Sequence, residues 1–304
     1  MSTLQCANTI LMIRPKHFGY NLETSVTNKF QNLGNVDNEK VLAEFDDVYY
    51  KLIQSGIEVI VYDDKDELVT PDSVFSNNWL HVDHGGNIFL FPMLAPNRRI
   101  EKRNDIVDDI ATKFAIEKIE DWSRYEKEGS FLESTGSMVF DHANRIAYAS
   151  ISARTDEQLF LKFCGYNNYK PVTFRTFDNA GFEVYHTNVI MSIGDEFCVL
   201  CDECFLNASE RELVKFNLKS CEKKIILITQ AQMENYCANI LQVQNKFGEK
   251  FIVMSQRAFD HFTLQQKNEL ENYGKLIVCN IENIEAHGGG SIRCMMTEIF
   301  AHRK

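Results

Sequence analysis

Met138-Val139-Phe140-Asp141-His142-Ala143-Asn144-Arg145-Ile146-Ala147-Tyr148-Ala149-Ser150-Ile151 is two apolar-rich runs separated by a short polar break. Runs of this length are strand-sized, and a break at His142-Ala143-Asn144 supplies residues that bond their own backbone in a tight turn. The stretch therefore predicts a strand pair. A helix follows over Thr155 to Cys164 and a further strand over Pro171 to Phe177. The same order of strand, strand, helix, strand recurs at Trp79 to Phe91, turning near Asp83-His84-Gly85-Gly86, with a helix over Asn104 to Phe114 and a strand over Ile116 to Ile119. It recurs at Val189 to Leu200 with a turn near Gly194-Asp195, then Glu210 to Asn217 and Lys224 to Ile228. Ile240 to Met254 turns near Lys246-Phe247-Gly248 and leads to Thr263 to Asn272 and Leu276 to Ile281. A short helix is expected over Ala231 to Tyr236. Near the start, Ile10 to Ile13, Val41 to Ser55 and Ile57 to Tyr62 read as strand, helix and strand. About five ββαβ units result, an α/β architecture. If they ring one axis, side chains at the strand ends of different units converge there.

The 304 residues hold 44% hydrophobic side chains, enough for a sizeable core, and the five prolines mark no linker. One domain over residues 1–304 is the expectation. A net charge of −11 with no large basic cluster argues against nucleic acid and anionic membrane as partners. The first residues lack the pattern of a leader and no apolar run spans a bilayer, so a cytoplasmic, soluble protein is expected. Nine cysteines, an odd number, suit reduced thiols better than a disulfide framework. Homo-oligomerisation stays open.

Three segments hold groups that carry chemistry. In His287-Gly288-Gly289-Gly290-Ser291-Ile292-Arg293-Cys294 a cysteine follows a triple glycine. Glycines let a ligand approach the main chain, which suits a presented nucleophile; a glycine turn before a buried cysteine explains the stretch equally well. His186 precedes a strand in Glu183-Val184-Tyr185-His186-Thr187-Asn188, and Glu133 stands at a glycine-containing turn in Glu133-Ser134-Thr135-Gly136. A thiol, an imidazole and a carboxylate at matching ends of different units are the parts of a nucleophile, an acid/base and an orienting group. Cys198, Cys201 and Cys204 have the spacing of thiolate ligands, but a fourth ligand is missing and an apolar strand explains the first two. His81, Asp83 and His84 fall at a hairpin turn. Neither metal nor organic cofactor is expected.

These segments, read with Pro71-Asp72-Ser73-Val74-Phe75-Ser76-Asn77-Asn78-Trp79, Ala95-Pro96-Asn97-Arg98-Arg99 and Ser152-Ala153-Arg154-Thr155, resemble the guanidine-modifying superfamily. That group includes arginine deiminases, dimethylarginine dimethylaminohydrolases and amidinotransferases, and the likeness runs in order from Asp72 to Cys294. It implies a pentein fold, a five-fold pseudosymmetric α/β propeller. It also implies Cys294 as nucleophile, His186 as general acid/base and Glu133 as its partner. Asp72 would take a substrate α-amino group, Arg154 an α-carboxylate, and Arg98 or Arg99 would sit on a flap.

Two departures bear on the substrate. Where relatives acting on cationic guanidinium carry acids, this chain has Asn77-Asn78, and Asn188 stands two residues beyond His186. Amides suit a neutral ureido group, whereas a buried cation wants a compensating charge. Citrulline is thus the expected substrate, split to ornithine, carbon dioxide and ammonia through a covalent cysteine intermediate, with His186 as imidazolium drawing the thiol toward thiolate. The alternatives are arginine or dimethylarginine hydrolysis, amidino transfer, and a noncatalytic amino-acid-binding protein.

Overall fold

A computed structural model describes residues 4–304. Its strands are β1 (Thr9–Arg14), β2 (Glu58–Asp63), β3 (Leu80–Val82), β4 (Asn87–Leu90), β5 (Lys118–Asp121), β6 (Val139–Asp141), β7 (Ile146–Ser150) and β8 (Lys170–Phe174). They continue as β9 (Met191–Ile193), β10 (Phe197–Leu200), β11 (Lys224–Leu227), β12 (Leu241–Gln244), β13 (Lys250–Ser255), β14 (Lys275–Cys279) and β15 (Thr297–Ile299). The result is a mixed α/β fold.

One pattern of pairing repeats. An antiparallel hairpin, β6 with β7, is followed by the helix Glu157–Asn167, after which β8 lies parallel to β7. The sets β3-β4-β5, β9-β10-β11 and β12-β13-β14 are built alike. The fifth set joins distant parts of the sequence: β15 runs antiparallel to β1, and β1 runs parallel to β2 after the helix Asn38–Gln54. One bridge, Ile299 to Val82, extends this set into β3, so two of the five share a six-stranded sheet.

Each crossover helix follows from its sequence. Asn38–Gln54 starts at Asp37, whose side chain accepts from the Lys40 amide, and buries Val41, Phe45, Val48 and Leu52 on one stripe. Asp156 and Asn207 cap the helices Glu157–Asn167 and Ala208–Ser220 in the same way. Asn168 ends the first of these in the left-handed region, φ 55°, a place asparagine tolerates. Ile106, Val107 and Ile110 do the equivalent burial for Asn104–Lys113. The apolar faces of strands and helices meet in cores between neighbouring sets, among them Phe89, Phe91, Trp122, Phe160 and Phe163. Among the described residues no helix is long and apolar enough to cross a membrane.

The predicted elements differ from the observed ones in three places. Thr297–Ile299 pairs as a strand although no strand is expected beyond Cys294. The glycine run is not a plain turn but closes the helix Glu282–Gly288, with Gly289 at φ 62° as its cap. The crossover near Thr263 is two helices, Gln256–His261 and Leu264–Glu271.

Candidate active site

Short turns lead into the first strand of every set, and they pack on one another. The turn Ser76–Asn78 meets Ser134–Ser137 and Ile292–Met295, and Ser134–Ser137 also meets Thr187–Val189. Asn78, His186 and Cys294 thereby come to one cavity, which Asp72, Phe75, Arg98, Arg154, Tyr185, Asn28 and the backbone of Gly288 to Gly290 complete. Its volume is about 20 Å3, room for a single water. Residues of the 21–31 segment cover it. Asn28 donates to the carbonyls of Gly288 and Gly289, and Gln31 to that of Gly288.

Close packing explains the glycines here. A Cβ on Gly289 would lie 2.7 Å from Asn28 Nδ2, in a backbone conformation that L side chains rarely adopt. On Gly136 it would lie 2.5 Å from Asn78 Nδ2 and 2.8 Å from His186 Cε1. Gly136→Ala is therefore expected to displace both side chains and lower kcat about 100-fold, since an ångström of misplacement costs that much. Steady-state kinetics beside a thermal melt would separate this loss from unfolding.

His186 and Glu133 are both buried, and His186 Nε2 lies 2.8 Å from Glu133 Oε2. The other carboxylate oxygen, Oε1, accepts from the Leu94 amide at 3.1 Å, and Arg154 Nη1 stands 3.5 Å from Oε2. Burial pushes the Glu133 carboxyl up, but Arg154 and His186 together overcome it and hold the group down at about 2. Burial drives His186 down to about 4 against the pull of Glu133. At neutral pH the carboxylate is thus ionised and the imidazole neutral. An ionised carboxylate only accepts, so the ring proton sits on Nε2 and Nδ1 is a bare acceptor. Desolvation of the ring thus works against a resting imidazolium, and the carboxylate beside it works in its favour.

The remaining predicted residues divide. Asp72 is buried; its Oδ2 accepts from Asn21 and Thr24 at 2.8 and 3.0 Å, while Oδ1 has no partner. Burial raises its carboxyl above the ordinary value, although Arg98 opposes the rise. Arg154 presents Nε and Nη2 to Thr27 Oγ1 at 2.9 and 2.7 Å and stacks over the Tyr185 ring. Arg98 is not on a flap. It is buried in the cavity wall, paired with Glu101 at 2.8 Å, and donates to Asn78 Oδ1 at 2.7 Å. Arg99 turns away to the carbonyls of Met93 and Leu94. Asn77 also points away, donating to Thr135 Oγ1 at 3.1 Å. Asn188 Nδ2 lies 3.6 Å from Cys294 Sγ. Thr24, Thr27, Asn28 and Asn239 border the site without having been singled out in the sequence, since none sits in a distinctive local pattern. Cys201 and Cys204 lie with their sulfurs 3.2 Å apart inside an apolar core. His81 packs in a cluster of rings with Phe140 and His142.

The mixed α/β fold matches that of the guanidine-modifying superfamily. A family model described as N,N dimethylarginine dimethylhydrolase, eukaryotic, matches residues 14–301, and the chain belongs to that family, whose members are hydrolases acting on carbon–nitrogen bonds. A search of curated proteins returns no match. Among solved structures, ArgZ, an arginine dihydrolase from the ornithine–ammonia cycle in cyanobacteria, superposes with TM-score 0.76 at 17% identity over 96% of this chain. The chain spans 40% of ArgZ as a whole. The N-terminal domain of ArgZ, bound to substrate, gives 0.74 at 17% identity and is covered to 99%. The DDAH from Pseudomonas aeruginosa, complexed with citrulline, gives 0.68 at 15% identity, with 96% of this chain and 99% of that one covered.

Proposed function

We propose that this chain is a cysteine-dependent hydrolase of citrulline, built as a single propeller domain whose five ββαβ sets ring the site. The carrying observation is the distribution of polar groups around Cys294. Amides face the sulfur and the head-group end, with Asn188 Nδ2 3.6 Å from Sγ and Asn78 on the cavity wall. The carboxylates have other work. Glu133 holds His186, and Asp72 lies among Asn21, Thr24 and Arg98. A guanidinium would bring a third cation beside Arg98 and Arg154 in a buried site, a cost of several kcal/mol, roughly. A ureido group brings none.

In this reading Arg154 exchanges Thr27 for the substrate α-carboxylate, which its fork matches in two bonds. Asp72 Oδ1, partnerless, takes the α-ammonium group. Cys294 Sγ attacks the ureido carbon, and its proton passes to Nδ1 of His186. His186 returns that proton to Nδ of the departing ornithine as the carbon–nitrogen bond breaks. The carbamoyl thioester left on Cys294 is attacked by water, whose proton His186 accepts and restores to sulfur. Carbamate leaves and decomposes to carbon dioxide and ammonia.

The family match favours a second reading, in which methylated arginine is cleaved to citrulline by the same three groups. Product analysis after separate incubation with citrulline, arginine and dimethylarginine decides. Ornithine and ammonia from citrulline alone are expected. Citrulline formed from either guanidino substrate would overturn the substrate assignment while leaving the nucleophile in place.

A further inference from the structure

The turn entering the fourth set contributes Asn239, buried two residues ahead of β12. Its Oδ1 accepts the Arg293 amide N–H at 3.1 Å and its Nδ2 donates to the Asn188 carbonyl at 3.1 Å, which fixes the orientation of the carboxamide. Nδ2 lies 3.4 Å from Cys294 Sγ and Oδ1 3.6 Å from it. Asn188 Nδ2 approaches the same sulfur at 3.6 Å. Two amide donors therefore converge on one atom.

The cations that would ordinarily meet a thiolate are committed elsewhere. Arg98 is paired with Glu101 at 2.8 Å, and Arg154 is shared between Glu133 and Thr27. Arg293 turns to Glu298 and to the Met296 carbonyl, both at 2.8 Å. His186 is held neutral by burial and gives its Nε2 proton to Glu133. Of the other groups on the cavity, Asp72 adds negative charge and the Tyr185 hydroxyl donates to the Gly289 carbonyl. Negative charge on the sulfur falls to the amide dipoles.

We infer that Asn239 is a catalytic residue: its Nδ2–H, together with that of Asn188, stabilises the negative charge that develops on the Cys294 sulfur as its proton passes to His186. The carboxamide serves both protonation states without turning over. The thiol donates S–H to Oδ1, which has a second lone pair beyond the one used by Arg293, and the thiolate accepts from Nδ2. This inference rests on Cys294 being the nucleophile, and on nothing about the substrate.

Alkylation by iodoacetamide without substrate tests it, with the Cys294 peptide quantified by mass spectrometry across pH. Asn239→Ser leaves a hydroxyl that accepts the Arg293 amide but withdraws the donor from sulfur. Alkylation at pH 7 should slow about tenfold and the midpoint of the profile should move to higher pH, as expected for losing a hydrogen bond to a charged group. Asn239→Asp puts a carboxylate in its place and should slow the reaction about a further tenfold. Thermal melts identify folded variants, and the serine variant alone suffices if the aspartate variant does not fold. An unchanged profile in a folded variant overturns the role of Asn239. A wild-type Cys294 no more reactive than the other buried cysteines removes the nucleophile reading and this inference with it. Failure to cleave citrulline touches neither.

Discussion

Cys294→Ser is expected to lower kcat by about 10^4-fold or more while substrate still binds, because no other described side chain on the cavity is a nucleophile placed to form the carbamoyl intermediate. Serine keeps the shape of the site within a fraction of an ångström. It replaces a thiol, a few per cent ionised at neutral pH when free, with a hydroxyl that Nδ1 of a neutral imidazole activates poorly. Calorimetric titration with citrulline should return a dissociation constant within a few-fold of the wild-type KM. Rapid quenching of the wild type with carbamoyl-labelled citrulline should place label on the peptide containing Cys294. Residual turnover near wild type in the serine variant would exclude covalent catalysis at this position.

Glu133→Gln should lower kcat about 10^3-fold, within the range that general acid–base positioning supplies. The carboxylate is what places the proton on Nε2 and leaves Nδ1 free to accept. A glutamine in the same space offers a donor to that N–H as readily as an acceptor, so the ring loses its fixed tautomer. The pH dependence carries a sign that a merely structural glutamate would not produce. His186 works as a base only when neutral, and burial has lowered it to about 4, so the acid limb of kcat/KM in the wild type should lie near pH 4 and not near 6.5. Glu133 is the group that opposes this lowering, and its removal should move the acid limb lower still. A limb that stays at 6.5 in both proteins would mean that His186 is solvated during turnover and that the buried pair does not persist.

Much of the architecture is legible in the sequence because hairpins carry a local signal. Phe140 and Ile146 flank a polar break, and the same grammar marks Gly85-Gly86 and Gly194. What stays hidden lacks such a signal. Thr297–Ile299 is three residues long, too short for alternation to show, and acquires its identity only by pairing with β1. The helix Glu282–Gly288 is seven residues with little apolar pattern, held in place by burial of Ile284 and Glu285. In the site, Cys294, His186 and Glu133 stand in recognisable local settings. Asn239 does not, since an asparagine at the end of a turn is ordinary until the turns bearing Asn188 and Cys294 close on it. Asn77 and Asn78 show the converse: adjacent letters with the same chemistry, one facing the cavity and the other turned to Thr135. The burial of Arg98 in the cavity wall is hidden in the sequence, because its pairing with Glu101 three residues on is a matter of conformation that spacing alone leaves open.

The joining of β15 to β1 pairs an early strand of the sequence with a late one, so the fifth set closes only when both are present. The binding groups Asp72 and Arg154 and the pair Glu133 and His186 all precede position 239, so of the proposed machinery the sulfur comes last in the sequence. The sulfur arrives three residues ahead of the strand that anchors it. A chain cut ahead of Cys294 lacks both the sulfur and the strand that closes the fifth set, and is expected to show no turnover.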